Sequence, residues 1–283
     1  MRTLVLGAGG MAGHLVTLFL SEKGHSVTGF ARNDLPFCDT FIGDALNKDH
    51  LKAAMNCDSF DAVINCVGVL NKDVDAHLTS GIFLNSYLPH FLAEYLEGTD
   101  TKLIHLSTDC VFSGRTGGYT ESSFKDADSF YGRTKSLGEV DDSSNLTIRT
   151  SIIGPDIKEQ GTGLLNWFLS QRGSVQGFTS AIWTGVSTVT LAHAIEYALE
   201  KELNGVYHLV NNETISKFKL LCLFNRYLKN GEIEVIMNDT LYVDKSLINT
   251  REDFDFKVPS YEQMIIDTKE WMVAHQELYP HYF

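Results

Sequence analysis

The sequence predicts an α/β fold in which helices cover both faces of a doubly wound parallel sheet. Short apolar runs alternate with amphipathic stretches along residues 1–155, and the first run leads directly into a glycine-rich turn. The composition agrees, because 43% hydrophobic and 21% charged residues in a chain of 283 are typical of globular domains. Disordered, collagen-like and coiled-coil chains are thereby excluded.

Each predicted strand is a short run rich in aliphatic residues, and each predicted helix is an amphipathic stretch between two such runs. The expected strands are 2–6, 26–30, 61–66, 102–107 and 146–150, and the expected helices lie near 10–23, 47–57, 82–97 and 131–140. Near-continuous apolar runs are typical of strands buried on both faces. His105 stands inside one of these runs and is interpreted as a core histidine.

The regular alternation ends near residue 155, and no proline-rich linker marks a boundary. We predict that residues 1–155 form the sheet domain and that 180–203 return to it. Residues 156–283 are then expected to form mainly a smaller, mixed α/β region with a helix at 260–276. This region is expected to fold over the carboxyl edge of the sheet and to form a cleft there.

The charge balance excludes several classes of partner. The chain has 23 Lys and Arg against 36 Asp and Glu, a net charge of −13, so nucleic acids and anionic membranes are repelled. No apolar run approaches the roughly 18 residues that a membrane span needs. The five cysteines include no Cys-x-x-Cys pair and the ten histidines no His-Glu-x-x-His, so no metal site is predicted. Scattered thiols and the lack of a leader pattern predict a cytoplasmic protein.

The glycine-rich turn carries the first functional signal. Residues 7–13 read Gly-Ala-Gly-Gly-Met-Ala-Gly between a predicted strand and a predicted helix. Glycines let the backbone approach a pyrophosphate, and the helix N-terminus offers free N–H groups to it. This context predicts a dinucleotide-binding Rossmann fold. The candidate cofactor-binding residues of the turn are Gly7, Gly9, Gly10, Met11 and Gly13.

The end of the second strand indicates which dinucleotide binds. An NAD site typically has an acidic residue there, for the ribose 2′-hydroxyl, and this chain has none. Arg32 follows the strand instead, where a guanidinium can bind a 2′-phosphate. NADP(H) is therefore favoured, and NAD(H) stays open as the alternative.

Two further segments are expected to line the cofactor site. Asp44, followed by Ala45, is placed to accept a hydrogen bond from the adenine amino group. Small residues at the end of the next strand leave room for the second ribose; they are Cys66, Val67 and Gly68.

The chemistry is predicted from a strand end and a helix. The strand 102–107 ends in Ser107 and is followed by Thr108, while Tyr131 and Lys135 stand four residues apart, on one face of a helix. A phenol of ordinary pKa near 10 exchanges protons at neutral pH only when a nearby positive charge stabilises its phenolate. Thr108, Tyr131 and Lys135 are therefore the candidate catalytic set, in which Tyr131 exchanges a proton with a carbonyl oxygen. Tyr131 and Lys135 are also expected to contact the cofactor.

Four segments resemble the extended short-chain dehydrogenase/reductases, and most closely their dTDP-4-dehydrorhamnose reductase branch. They are residues 7–13, the Ser-Thr-Asp-Cys-Val-Phe of 107–112, the Tyr-Gly-Arg-Thr-Lys of 131–135 and the Leu-Thr-Ile-Arg-Thr-Ser of 146–151. The resemblance implies an NADPH-dependent 4-keto reduction of a nucleotide-linked 6-deoxyhexose, with Thr108, Tyr131 and Lys135 as catalytic residues. Its implied partner is a nucleotide-sugar substrate.

Two positions depart from that branch. Leu6 stands where many relatives have Thr, and Cys110 stands where rhamnose reductases usually have Tyr. In the similar GDP-fucose synthase branch, a Cys at this place acts in epimerisation with a His after a Gly-Pro pair. Here Gly154-Pro155 is followed by Asp156, so Cys110 is interpreted as a packing residue.

Contacts to the sugar nucleotide are predicted at four residues, Ser107, Asp109, Trp183 and Arg251. The polar loop 113–130, which has three glycines, is expected to act as a lid over the sugar. Two alternatives stay open: an epimerase or dehydratase of the same fold, and a non-catalytic NADP-binding regulatory subunit. The intact catalytic set favours an enzyme over the subunit, and the sequence leaves open whether the protein is a monomer or a homodimer.

Overall fold

The computed structural model describes all 283 residues and is built on a seven-stranded, wholly parallel sheet. Its strands are β1 (Arg2–Leu6), β2 (Ser26–Ala31), β3 (Asp39–Ile42), β4 (Ala62–Asn65), β5 (Lys102–Thr108), β6 (Leu146–Thr150) and β10 (Gly205–His208). Their order is β10-β6-β5-β4-β1-β2-β3, so the chain winds outward in both directions from the first strand. This topology confirms the predicted fold class.

Ten α-helices accompany the strands, with one π-turn at Phe83–Tyr87. The helices are α1 (Met11–Glu22), α2 (Lys48–Met55), α3 (Asn71–Ala76), α4 (Leu78–Ile82), α5 (Leu88–Leu96), α6 (Phe130–Leu137), α7 (Leu164–Leu169), α8 (Thr188–Leu199), α9 (Lys217–Leu228) and α10 (Tyr261–Ala274). The predicted helix at 260–276 is α10.

Alternate residues of β1 explain why helices lie on both faces of the sheet. Val5 packs into a core shared with α1 and α8, whereas Leu4 and Leu6 pack into a second core shared with α2 and α5. Side chains of a strand alternate between faces, and all three residues are fully buried. Leu6, one of the two departures from the resembled branch, therefore fills the core under α2 and α5.

The second half of the chain supplies a mixed layer at the carboxyl edge. The remaining strands are β7 (Ile152–Ile153), β8 (Ser174–Trp183), β9 (Val186–Ser187), β11 (Ile215–Ser216) and β12 (Glu234–Asp244). Strand β8 is the centre of a small sheet, antiparallel to β11 and parallel to β12.

The chain returns to the main sheet twice after residue 155. Helix α8 packs against α1, and β10 extends the sheet by pairing with β6. The sequence analysis placed the return at 180–203 and did not assign β3 or β10 as strands. The boundary at 155 itself stays a prediction, because one continuous core joins both regions. No helix has the length and apolar content required to cross a membrane.

Candidate active site

The turn between β1 and α1 is built for close approach to an anion. Gly7 has φ +80°, which favours glycine, and a Cβ on Gly13 would lie 2.1 Å from the Gly7 carbonyl oxygen. Helix α1 therefore starts tightly against the strand. Its N-cap residue, Gly10, provides no side-chain hydrogen bond, so the N–H groups of the first turn remain free for a ligand.

A cavity of about 610 Å³ opens beside this turn. Nine residues predicted to bind the cofactor line it; they are Gly7, Gly9, Gly10, Arg32, Asp44, Ala45, Cys66, Val67 and Gly68. Met11 and Gly13 lie outside the lining, where Met11 begins α1 and Gly13 sets its approach to the strand. The cavity thus runs along the carboxyl ends of β1, β2 and β4, where a doubly wound fold places a dinucleotide.

An asparagine of the π-turn, Asn85, holds one wall of the cavity. Its Oδ1 accepts a hydrogen bond from the Val69 N–H at 3.0 Å, and its Nδ2 donates to the Val69 carbonyl, also at 3.0 Å. The same Nδ2 lies 3.2 Å from Thr134 Oγ1 in α6. Asn85 therefore ties the segment after β4 to the catalytic helix.

The sequence analysis missed one cation of the lining. Lys158 lines the cavity from the segment after β7, so Arg32 and Lys158 are the two cations of the lining. Asp156 Oδ1 accepts from the Lys158 N–H at 2.9 Å, and Asn166 Nδ2 donates to the Gly161 carbonyl at 2.7 Å. These local bonds shape the segment, but nothing in its sequence reveals that it covers a turn some 150 residues earlier.

The two hydroxyls predicted to be catalytic lie near the carboxyl end of β5. Thr108 is the last residue of that strand, and its Oγ1 accepts from the Cys110 N–H at 3.2 Å. Tyr131 is the second residue of α6, and its phenol lies close enough to Thr108 for that hydroxyl to act on its pKa. Burial raises the pKa of Tyr131 above its ordinary value, against the smaller opposing effect of Thr108. The phenol is therefore held in its protonated form.

Glycine is required next to Tyr131 because helix α6 presses against the strand end. A Cβ on Gly132 would lie 2.2 Å from the Cys110 carbonyl oxygen. Ser129 caps the helix, and its Oγ accepts from the Gly132 N–H at 3.1 Å. This contact brings Tyr131 to Thr108.

The Lys135 side chain is buried against strand β5, near the same carboxyl end of the sheet. It is 5% exposed, and its Nζ donates to the Leu106 carbonyl at 2.7 Å. Burial lowers the pKa of Lys135 to about 8, although the Glu139 carboxylate opposes that change. Cys66, which lines the cofactor cavity, also lies close enough to act on this lysine. Lys135 thus neighbours a residue of the cavity, but neither it nor Tyr131 is part of the lining, and their contacts with the cofactor stay predictions.

Of the four predicted substrate contacts, Asp109 remains at the site. It is 6% exposed, its Oδ1 accepts from Thr108 Oγ1 at 3.1 Å, and burial raises its pKa against the charges of Lys245 and Lys217. Ser107 faces away from Thr108, and its Oγ donates to Glu139 at 2.6 Å. The Ser107 hydroxyl is therefore committed to the interior, which contradicts its predicted contact with substrate.

The substrate contacts of Trp183 and Arg251 stay predictions, which their surroundings do not favour. Trp183 is 2% exposed, with Tyr261 packed against it and the Lys217 ammonium 5.0 Å from its ring centre. Arg251 pairs with Asp253 and donates to the carbonyls of residues 204 and 206, at the start of β10. That end of the sheet is opposite to the edge that carries Thr108.

The loop 113–130 is anchored rather than free. The Tyr119 N–H donates to the Ser246 carbonyl at 2.9 Å, and Lys125 Nζ lies 3.0 Å from Glu139 Oε2. Glu121 accepts from the Thr250 hydroxyl at 2.6 Å. The structure therefore gives no support to the expectation of a lid that moves as a whole. No three His, Cys, Asp or Glu side chains converge as a metal site requires.

Comparison with known proteins agrees with this geometry. Residues 1–237 match the family model described as "RmlD substrate binding domain". A probable low-salt glycan biosynthesis reductase, Agl14, from Haloferax volcanii is 32% identical over 143 residues, or 49% of this chain and 48% of that protein. The matched part of the chain thus spans about half the length of that relative.

Two longer similarities have lower identity. The methionine adenosyltransferase 2 subunit beta of Xenopus laevis is 24% identical over 239 residues, covering 78% of this chain and 70% of that protein. The crystal structure of dTDP-4-dehydrorhamnose reductase from Bacillus anthracis, in complex with NADP, superposes with a TM-score of 0.81 at 18% identity. It covers 95% of this chain and 99% of that one, and establishes the shared fold.

Proposed function

The chain belongs to the RmlD substrate-binding-domain family, and on that premise we propose that it is an NADPH-dependent reductase of a nucleotide-linked 4-keto-6-deoxy sugar. One observation carries the proposal. Thr108, Tyr131 and Lys135 lie together at the carboxyl edge of the sheet, and Lys135 neighbours Cys66, which lines the cavity of the glycine turn. A carbonyl beside Tyr131 is then within reach of a dinucleotide in that cavity.

Thr108, Tyr131 and Lys135 each have a different role in the proposed reaction. Bound NADPH supplies the hydride. The raised pKa of Tyr131 keeps its proton available for the carbonyl oxygen, which is the requirement for a general acid. The Thr108 hydroxyl helps to hold that oxygen, and the Lys135 ammonium stabilises the phenolate that remains.

NADP(H) is favoured because Arg32 lines the cavity directly after β2. In a chain of net charge −13, the anionic cofactor depends on local cations. NAD(H) remains the alternative. On the sugar side, Lys217 and Lys245 act on Asp109 and supply positive charge for the substrate's phosphates.

A non-catalytic subunit is the second candidate, because the similarity to the methionine adenosyltransferase subunit covers 78% of the chain. A binding subunit does not need a catalytic hydroxyl pair, so the presence of Thr108 and Tyr131 as neighbours at one strand end favours the enzyme. An epimerase is less well supported. Burial and the neighbouring Asp109 raise the pKa of Cys110 to about 11, which makes its thiol a poor base at neutral pH.

We also propose a homodimer in the cytoplasm. Exposed apolar side chains on neighbouring helices offer a surface for a second copy; they are Ile82, Tyr87, Phe130 and Leu137. The five cysteines are all free thiols, as a reducing compartment maintains them. Sedimentation of the wild type and of Leu137→Glu tests the dimer, which the charged variant should dissociate.

The test of function is turnover of 4-keto-6-deoxy sugar nucleotides, measured as loss of NADPH absorbance. Tyr131→Phe removes one hydroxyl, so kcat should fall by about 10²–10⁴-fold while the Kd of NADPH changes little. Full turnover by that variant would remove the proposed proton donor. NADPH binding without turnover in the wild type, over a panel of sugars, would favour the subunit.

A further inference from the structure

A buried chain of polar side chains runs from Asn65 through His105 to Lys135. Asn65 ends β4 and pairs with His105 of β5, and both residues are fully buried. Asn65 Nδ2 lies 3.1 Å from His105 Nδ1, and His105 Nε2 lies 3.4 Å from Lys135 Nζ. The core histidine of the sequence analysis is therefore in contact with the active-site lysine.

A backbone N–H group determines which of the Asn65, His105 and Lys135 side chains donates a hydrogen bond to which. The Val67 N–H donates to Asn65 Oδ1 at 3.1 Å, so the amide oxygen is the acceptor and the amide nitrogen faces His105. An amide nitrogen only donates, so His105 Nδ1 must accept. The neutral ring then carries its proton on Nε2, and that N–H points at Lys135.

An N–H group is a good partner for an amine and a poor one for an ammonium. Lys135 has one clear acceptor, the Leu106 carbonyl at 2.7 Å. The groups that act on its charge are Glu139, just after α6, Cys66, just after β4, and His105. Glu139 favours the ammonium, but its two oxygens are already held by other donors. Burial and the Lys135 charge keep the pKa of His105 well below its ordinary value, so the ring stays neutral.

We propose that Asn65 and His105 are positioning residues that fix an N–H group toward Lys135 and thereby ease the loss of its proton. The proposal rests on the proposed reductase function. When Tyr131 gives its proton to the carbonyl oxygen, the Lys135 ammonium passes one proton to the phenolate. The amine that is left accepts the hydrogen bond from His105 Nε2, and a proton from water later restores the ammonium.

The tautomer of His105 can be read directly, without any substrate. Long-range ¹H–¹⁵N NMR of histidine-labelled protein should show His105 with its proton on Nε2, assigned by loss of the signal in His105→Gln. Asn65→Asp places a carboxylate where the amide was, so the proton should move to Nδ1 while the Val67 bond survives. A wild-type ring with its proton on Nδ1 would overturn the proposal.

The effect on Lys135 is measured through its ¹³Cε resonance, assigned by loss in Lys135→Arg. In Asn65→Asp, the unprotonated His105 Nε2 presents its lone pair to Lys135. In His105→Gln, an amide oxygen can face Lys135 instead, without any added charge. Both should raise the pH midpoint of Lys135, with a change of at least about tenfold in proton affinity. The pH profile of kcat should move with it.

Unchanged midpoints in both variants would refute the role of the pair, and His105→Gln keeps the test decisive if Asn65→Asp fails to fold. These NMR readouts do not require turnover. If they hold and no sugar nucleotide is reduced, the proposed function fails while the control of Lys135 by His105 stands.

Discussion

Glu139 offers the sharpest test of what holds the catalytic edge together. Its carboxylate accepts from Ser107 Oγ at 2.6 Å, from Lys125 Nζ at 3.0 Å, and from Arg149 Nε and Nη2 at 2.8 and 2.7 Å. The Glu139 and Arg149 side chains are 1% and 2% exposed. One carboxylate therefore ties together the strand beside Thr108, strand β6 and the loop 113–130.

Glu139→Ala leaves the Arg149 guanidinium buried without its counter-ion, since its other partner is the neutral acceptor His208 Nε2 at 2.7 Å. Breaking a buried ion pair on one side costs about 3–5 kcal/mol. The unfolding entropy is about 2.1 cal/mol/K per residue, so the unfolding free energy of this 283-residue chain changes by roughly 0.6 kcal/mol per degree near Tm. Calorimetry should therefore show Tm lowered by roughly 5–8 °C.

Asp128→Ala is the matched control. Arg115 and Asp128 form an ion pair at 2.9 Å, close to the length of the buried pair, but their side chains are 70% and 66% exposed. The expected loss is about 0–1 kcal/mol. Equal Tm values for Glu139→Ala and Asp128→Ala at neutral pH would refute the reasoning.

The pH dependence of the Glu139 effect follows from its pKa. Burial alone would raise that pKa, but the hydrogen bonds and charge of Arg149 hold it below the ordinary value. A lowered pKa in the folded state stabilises the protein above the unfolded pKa of about 4.3, and the contribution disappears as pH falls through the folded value. The Tm difference between wild type and Glu139→Ala should therefore shrink in acid.

Two further predictions concern the cofactor. Arg32→Ala should weaken NADPH binding by about 10–100-fold and leave NADH binding nearly unchanged, since a charged phosphate contact contributes about 1.5–3 kcal/mol. Lys158→Met should weaken the binding of NADPH and NADH equally, because both cofactors contain the pyrophosphate. Titration by cofactor fluorescence measures all four affinities, and equal losses for the two cofactors in Arg32→Ala would contradict the role of the guanidinium. Gly13→Ala puts a methyl group 2.1 Å from the Gly7 carbonyl oxygen, so it should lower both Tm and NADPH affinity. A stable variant with normal NADPH binding would show instead that α1 can move away from the turn without cost.

The fold was predictable because its signals are local, and so was the placement of Thr108 at the carboxyl edge of the sheet. Each of the five predicted strands is a contiguous apolar run, and parallel strands place their carboxyl ends at one edge, so Gly7 and Thr108 had to fall together. The spacing of Tyr131 and Lys135 has the same local character. Strands β3 and β10 were missed, and they are the two edge strands of the sheet, each placed by its single neighbour, β2 or β6.

The residues that sequence reasoning missed or misplaced depend on contacts between distant segments. Ser107 stands beside Thr108 in the chain, yet strand alternation turns it toward Glu139, thirty-two residues later. Lys158 reaches the glycine turn from a segment that follows the sheet's sixth strand in the chain. An acidic chain can bind an anionic dinucleotide only where cations are gathered locally, and the two cations that line this cavity are Arg32 and Lys158. Only the assembled fold shows that combination: the position of Arg32 after a strand is a local signal, whereas nothing local distinguishes Lys158 from a solvated surface charge.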